Sequence, residues 1–84
     1  MRRRTDLEIV AEILALCLKP QCKTRVMQRS NLSWKLADEY LSSLQKRGLL
    51  NVHHSTIRYV TSHKGLEFLE KWAKLEELLP PTHI

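Results

Sequence analysis

Residues 24–48 decide the fold, and they read TRVMQRSNLSWKLADEYLSSLQKRG. Thr24 and Ser33 are favourable helix N-caps, because their side-chain oxygens can accept hydrogen bonds from the amides of the first turn. Beyond Ser33 the apolar residues recur at i, i+3, i+4 and i+7, which is typical of an amphipathic helix. These residues are Ala37, Tyr40, Leu41 and Leu44. We predict a short helix over 24–30 and a longer helix over 33–47, joined by a tight turn.

The segment after the longer helix changes from helical to alternating periodicity. Leu50 and Val52 alternate with polar residues, and Ile57 and Tyr59 do the same after a short polar stretch. This pattern predicts a two-stranded hairpin, or wing, over 49–60. Two helices joined by a tight turn and followed directly by a hairpin form a winged helix-turn-helix.

Upstream of the motif the sequence predicts one further helix. Thr5-Asp6-Leu7-Glu8 has the form of a capping box, and Pro20 disfavours a helical residue before it. We predict a helix over 5–18 and a connector over 19–23 that can contribute a short edge strand. Residues 1–61 are then one winged helix-turn-helix domain. The predicted fold class is mainly α with a small β-hairpin (α+β), completed by a long C-terminal helix.

The C-terminal helix is predicted over 62–79, with Pro80-Pro81 ending it and a tail over 80–84. Its apolar residues fall on two faces. One face has the 4-3-4 spacing of a coiled-coil seam, and comprises Phe68, Trp72, Leu75 and Leu79. The other comprises Leu66, Leu69 and Ala73, which we expect to close onto the domain. Two apolar faces predict two partners, so we expect a homodimer; the alternative is that the whole helix folds back on its own domain.

Composition narrows the classes of function. The 84-residue chain has a net charge of +5, and its basic residues concentrate before residue 62. Such an excess favours a polyanionic partner. Two cysteines form no disulfide framework, and neither a signal peptide nor a membrane span is evident, so we expect a cytoplasmic, nucleoid-associated protein.

Metal binding and catalysis are not expected. Four possible ligands, Cys17, Cys22, His53 and His54, match no compact zinc spacing. No nucleophile, paired acid or glycine-rich phosphate loop stands out. We therefore expect no enzyme activity, no cofactor and no small-molecule ligand.

Several short segments, taken in order, resemble a known family. They are Lys23-Thr24-Arg25-Val26-Met27, Asn31-Leu32-Ser33-Trp34, Tyr40-Leu41, Gly48-Leu49-Leu50 and Tyr59-Val60-Thr61-x-x-x-Gly65. Together they resemble the small archaeal winged-helix regulators and chromatin-type proteins, over residues 5 to 79. The resemblance implies binding of double-stranded DNA. It also implies that the C-terminal helix pairs two subunits as an antiparallel coiled coil.

The motif predicts where DNA would be contacted. In a helix-turn-helix the second helix, here 33–47, enters the major groove with its N-terminal residues. The wing, here 53–58, can lie along the backbone or in the adjacent minor groove. The candidate contacts are Lys23, Arg25, Arg29, Ser33, Trp34, Lys35, His53, His54 and Arg58. Trp34 could alternatively pack at the edge of the core. Arg2-Arg3-Arg4 could be either a flexible arm that reaches phosphates or merely a disordered end.

Two acids on the same helix oppose this interpretation. Asp38 and Glu39 would repel phosphates unless one of them accepts a hydrogen bond from a cytosine amino group. The alternatives are therefore a winged helix that contacts only other proteins, and a protein that binds RNA through single strands or shape.

Overall fold

A computed structural model describes residues 4–78 of the chain. The elements follow the predicted order, with a two-stranded antiparallel sheet after three helices and a last helix behind it. They are α1 (Asp6–Leu16), α2 (Lys23–Arg29), α3 (Trp34–Lys46), β1 (Leu50–His53), β2 (Arg58–Thr61) and α4 (His63–Leu78). The predicted α+β winged-helix class is confirmed.

Helix α1 begins as predicted and ends earlier. Thr5 accepts a hydrogen bond from the Glu8 amide, and the Glu8 carboxylate accepts one from the Thr5 amide, which completes the capping box. The helix ends at Leu16 rather than at residue 18, with Cys17 as its C-cap. The chain must leave the helix there because Gln21 pairs with β2.

That pairing also moves the start of α2. Gln21 and Tyr59 exchange two backbone hydrogen bonds, of 2.9 and 2.8 Å, as an isolated antiparallel bridge. This short edge strand ends immediately before Cys22. Cys22 is the N-cap residue of α2, and its side chain makes no capping hydrogen bond. Helix α2 therefore begins at Lys23, and the predicted capping role of Thr24 is wrong.

Helix α3 is capped by the residue that the sequence indicated. The Ser33 hydroxyl oxygen accepts a hydrogen bond from the Leu36 amide at 3.1 Å. At the other end Arg47 is the C-cap, and Gly48 has a φ of +77°, which glycine adopts without the penalty of a side chain.

The wing is a regular ribbon of two four-residue strands with His53 opposite Arg58 at its outer end. Its second strand runs to Thr61, one residue beyond the predicted limit. The reason is that Thr61 is anchored to α1: its amide donates to the Cys17 carbonyl and its hydroxyl to the Leu14 carbonyl.

One apolar core lies between α1, α2, α3 and the base of the wing. Its buried members are Ile13, Leu14, Cys17, Val26, Leu32, Ala37, Leu41, Leu44, Leu49 and Leu50. Desolvation by burial raises the pKa of the Cys17 thiol to about 11. Cys17 is thus a small apolar core residue.

The last helix packs on this core through Leu69, as predicted, and also through Phe68, so the assignment of Phe68 to the dimer seam alone is wrong. The Ser62 hydroxyl accepts a hydrogen bond from the Gly65 amide at the first turn. Phe68 and Leu69 pack against the core, whereas Leu66 and Ala73 are exposed, so the assignment of those two residues to the domain side is wrong. The reason is that Gly65, the buried residue of α4, sets which side approaches the domain.

Beyond Leu69 the described part of α4 contributes no residue that packs against the core. Trp72 is half-buried and stacks on Phe68, with ring centroids 6.4 Å apart. Residues 73–78 are all exposed, including Leu75 and Leu78. Leu79 and the tail 80–84 lie outside the described residues. Within residues 4–78, no helix combines the length and the apolar composition that crossing a membrane requires.

Candidate functional site

The first turn of α3 presents its side chains to solvent. Ser33 caps the helix, and Trp34 and Lys35 follow it as exposed residues. Trp34 is 57% exposed, although tryptophan has the largest apolar surface of all residue types. The alternative position at the edge of the core is therefore wrong for Trp34.

Lys23 at the start of α2 holds this turn in place. Its Nζ lies 2.7 Å from Asp38 Oδ1 and 3.8 Å from the centroid of the Trp34 ring. The Lys23 side chain is 18% exposed, and that of Asp38 is 64% exposed. The ammonium thus joins α2 to α3 by an ion pair and a cation–π contact, and its charge is already balanced by a carboxylate within the protein.

The two arginines of α2 are arranged differently. Arg25 and Arg29 are four residues apart, so they share one face of the helix, and both are exposed. Val26 on the neighbouring side is fully buried and anchors α2 in the core. The guanidinium groups therefore lie on the solvent side of α2.

The wing carries a second group of exposed cationic or titratable side chains. His53 pairs with Arg58 across the ribbon, His54 follows in the loop, and all three are exposed. Directly opposite residues on one face of a ribbon have neighbouring side chains. The loop over residues 54–57 connects the two strands, so these side chains gather at the outer end of the wing.

For one residue of the wing the predicted secondary structure is wrong. Ile57 was assigned to a strand by its alternation with Tyr59, but it belongs to the turn, with a φ of +48° and an exposure of 64%. Glycine or asparagine at this position would have indicated a left-handed turn residue. An isoleucine carries no such sequence signal.

Two polar contacts brace the motif against α1. The Tyr40 hydroxyl donates a hydrogen bond of 2.6 Å to Asp6 Oδ1. The Asp6 carboxylate accepting this bond, with a contribution from desolvation, raises the pKa of Tyr40 to about 12. Arg4 forms an ion pair of 2.9 Å with Glu12, and its other nitrogen lies 3.5 Å from the carbonyl oxygen of Asn31 in the turn.

The position of Arg4 bears on the predicted N-terminal arm. Arg4 contacts both Glu12 of α1 and the turn between α2 and α3. It therefore connects α1 to the helix-turn-helix motif and is not part of an arm. Arg2 and Arg3 lie outside the described residues. Among residues 4–78, no three metal-ligating side chains gather in one place.

An open groove of about 550 Å³ lies between α1, α3 and α4. Its apolar walls include Leu7 of α1, Leu36 of α3 and Phe68 of α4, and its polar rim includes Asp6 and Arg47. The groove adjoins Phe68 of α4, and on α3 it extends from Leu36 in the first turn to Arg47 at the C-terminal end.

Comparison with known proteins identifies the fold family. Residues 3–79 match the family model described as winged helix-turn-helix. The chain belongs to this family. No curated protein matches the sequence.

Among solved structures, this winged helix-turn-helix protein is similar to Sso10a-2, described as a DNA-binding protein from Sulfolobus solfataricus. The two sequences are 31% identical, and the similarity covers 90% of this chain and 85% of that chain. Their TM-score is 0.76, so the likeness extends over the whole winged-helix architecture.

Proposed function

We propose that this winged helix-turn-helix protein binds double-stranded DNA and acts as a transcription regulator or chromatin-associated factor. The observation that carries the proposal is the first turn of α3. It presents Trp34 and Lys35 to solvent, and the helix before it in the chain, α2, carries the exposed Arg25 and Arg29. The similarity to a solved DNA-binding protein supports the same function.

In this arrangement the N-terminal end of α3 enters the major groove and α2 braces it. The amides at a helix N-terminus and the positive end of its dipole favour a phosphate nearby. The Ser33 oxygen is occupied as a hydrogen-bond acceptor, but its hydroxyl hydrogen can still be donated to a phosphate. Trp34, fixed by Lys23, offers an apolar surface for sugars or thymine methyl groups.

One of the two acids of α3, Asp38, is less of an obstacle than its sequence position suggests. Asp38 is paired with Lys23 at 2.7 Å, so its charge is balanced before DNA arrives. The same pair makes Lys23 a positioning residue for Trp34 rather than a principal phosphate contact. The exposed cations Arg25, Arg29 and Lys35 then supply phosphate contacts on the helical side, and Arg58 with His53 and His54 does so on the wing.

We further propose that the protein is a homodimer through α4. Residues 73–78 are exposed and extend beyond the domain, with Leu75 and Leu78 among them. Pairing of two such helices, with Trp72 near the centre, would remove this apolar surface from water. A two-fold axis would also let two α3 helices address successive major grooves about 34 Å apart.

A titration of labelled duplexes tests the DNA-binding proposal. Fluorescence anisotropy with duplex DNA, duplex RNA and single strands is measured at several salt concentrations. We expect preferential binding to duplex DNA with a steep salt dependence, because released counterions drive phosphate contacts. Absence of binding at low salt would contradict the proposal and favour a module that contacts only proteins.

Matched variants locate the surface. Arg29→Ala should weaken binding to all duplex sequences and reduce the slope of log K against log salt by about 0.9, the contribution of one phosphate contact. Arg47→Ala removes the same charge at the opposite end of α3 and should leave the slope unchanged. Equal effects of the two variants would mean that the duplex lies elsewhere.

A further inference from the structure

The turn of the wing holds a residue type that neither its backbone nor its surroundings favours. Ile57 has a φ of +48°, in the left-handed region. A β-branched residue with this backbone conformation is a genuine outlier, because its side chain crowds the adjacent carbonyl. Glycine and asparagine adopt the same conformation with little strain.

Packing does not account for Ile57 either. Its side chain is 64% exposed, and it stands outside the core and outside the residues packed against the core. Exposure of an isoleucine to water forgoes the stabilisation that its burial would bring. Both local conformation and solvation therefore disfavour isoleucine at this position in the free protein.

The surroundings of Ile57 indicate what would cover it. Arg58 follows it directly, Arg58 is opposite His53 across the ribbon, and His54 lies in the same loop. An apolar tip flanked by groups that can bind phosphates is complementary to a DNA groove, whose rims are charged and whose walls are sugar carbons. Apolar side chains are used in this way by proteins that contact the minor groove.

We propose that Ile57 is an apolar contact of the wing, placed against the sugars and base edges of the DNA minor groove. This inference rests on the proposed DNA-binding function and adds a residue that acts through shape and solvation rather than charge. In the complex the groove removes the Ile57 side chain from water. The free energy gained by this burial offsets the cost of the unfavourable backbone conformation. Strained residues that persist at the surface are typical of sites where the strain serves binding.

The variant Ile57→Gly separates this role from a structural one. Glycine relieves the left-handed strain, so the variant should be more stable, with a melting temperature higher by about 4–8 °C. Its affinity for duplex DNA should nevertheless fall by about fivefold or more. Because no charge is changed, the slope of log K against log salt should stay that of the wild type, in contrast to Arg58→Ala.

Two controls complete the experiment. Leu18→Gly removes an apolar side chain of similar exposure from the connector after α1, and it should leave the affinity unchanged. A polyamide that occupies the minor groove of an AT-rich duplex should abolish the difference between wild type and Ile57→Gly. Persistence of the difference would overturn the assignment of Ile57 to that groove.

The possible failures are distinguishable. If the wild type binds duplex DNA and Ile57→Gly binds equally well, the inference about Ile57 is overturned while the proposed function stands. A reduced salt slope in Ile57→Gly would overturn it too, because the residue would then act on phosphate contacts. If the wild type binds no duplex, both proposals fail together.

Discussion

Gly65 lies against the carbonyl oxygen of Leu49 so closely that a Cβ on Gly65 would stand 2.5 Å from that oxygen. The same Cβ would lie 2.5 Å from Cγ2 of Thr61. The Thr61 side chain cannot rotate freely because its hydroxyl donates to the Leu14 carbonyl. The first turn of α4 therefore packs directly on the backbone that leads into the wing.

This contact predicts that Gly65→Ala lowers the free energy of unfolding, which is the opposite of the usual effect of this substitution in a helix. Within a helix, alanine is ordinarily favoured over glycine by about 1 kcal/mol. Here the added methyl group must displace backbone, so we expect a loss of about 1–3 kcal/mol in the free energy of unfolding. Urea denaturation followed by circular dichroism measures it. Glu70→Ala, exposed on the same helix, should change stability by less than about 0.5 kcal/mol; stabilisation by Gly65→Ala would refute the close packing.

The ion pair between Lys23 and Asp38 predicts a variant that binds DNA more tightly. Asp38→Asn leaves the Lys23 ammonium without its carboxylate, which adds positive potential beside the first turn of α3. We expect an increase in duplex affinity of about two- to fivefold near 0.1 M salt, fading as salt screens the charge. Glu70→Gln makes the same change of charge on α4 and should have no effect in the same anisotropy titration.

The hydrogen bond between Tyr40 and Asp6 predicts a loss of stability at high pH. The pKa of Tyr40 is raised from 10.0 to about 12, so the phenol ionises more readily in the unfolded chain than in the folded one. The stabilisation is complete below pH 10 and is lost as the pH rises from about 10 to about 12. Denaturation curves across this range should converge for the wild type and Tyr40→Phe; a constant difference would mean that the hydrogen bond does not form.

The exposed end of α4 predicts how the dimer can be broken. Leu75 is 43% exposed, so Leu75→Glu should leave the domain folded while placing a charge in the proposed seam. Trp72→Glu should also yield monomers, but Trp72 stacks on Phe68, so its effect on folding must be measured as well. Leu66→Glu alters an exposed leucine outside that seam and should remain dimeric. Sedimentation velocity distinguishes these outcomes, and a monomeric wild type would refute the dimer.

Features that depend on neighbours in sequence were the ones that the sequence could predict. The capping box at Thr5, the cap at Ser33 and the alternation in the wing each involve residues a few positions apart. They predicted the element order and the residue at which α3 is capped. The kinds of side chain near the first turn of α3 could also be predicted, because they belong to residues that are close to it in the sequence.

Features that depend on distant contacts were not predictable. Helix α2 starts at Lys23 because Gln21 pairs with Tyr59, and no pattern near residue 23 carries that information. The engagement of Lys23 with Trp34 and Asp38 depends on the separation of two helices. The apolar faces of α4 were visible in the sequence, but the contact of Gly65 with Leu49 decides which one meets the domain.

The bridge between Gln21 and Tyr59 also bears on the order in which the molecule assembles. It joins two points of the chain that are separated by α2, α3 and the first strand of the wing. Closing so long a loop loses more chain entropy than forming a turn or a hairpin does. We expect the wing ribbon and the helix pair to form early, and the segment before α2 to dock late. Transient opening of the native protein should then begin by releasing the segment around Gln21 from Tyr59, with the ribbon still paired.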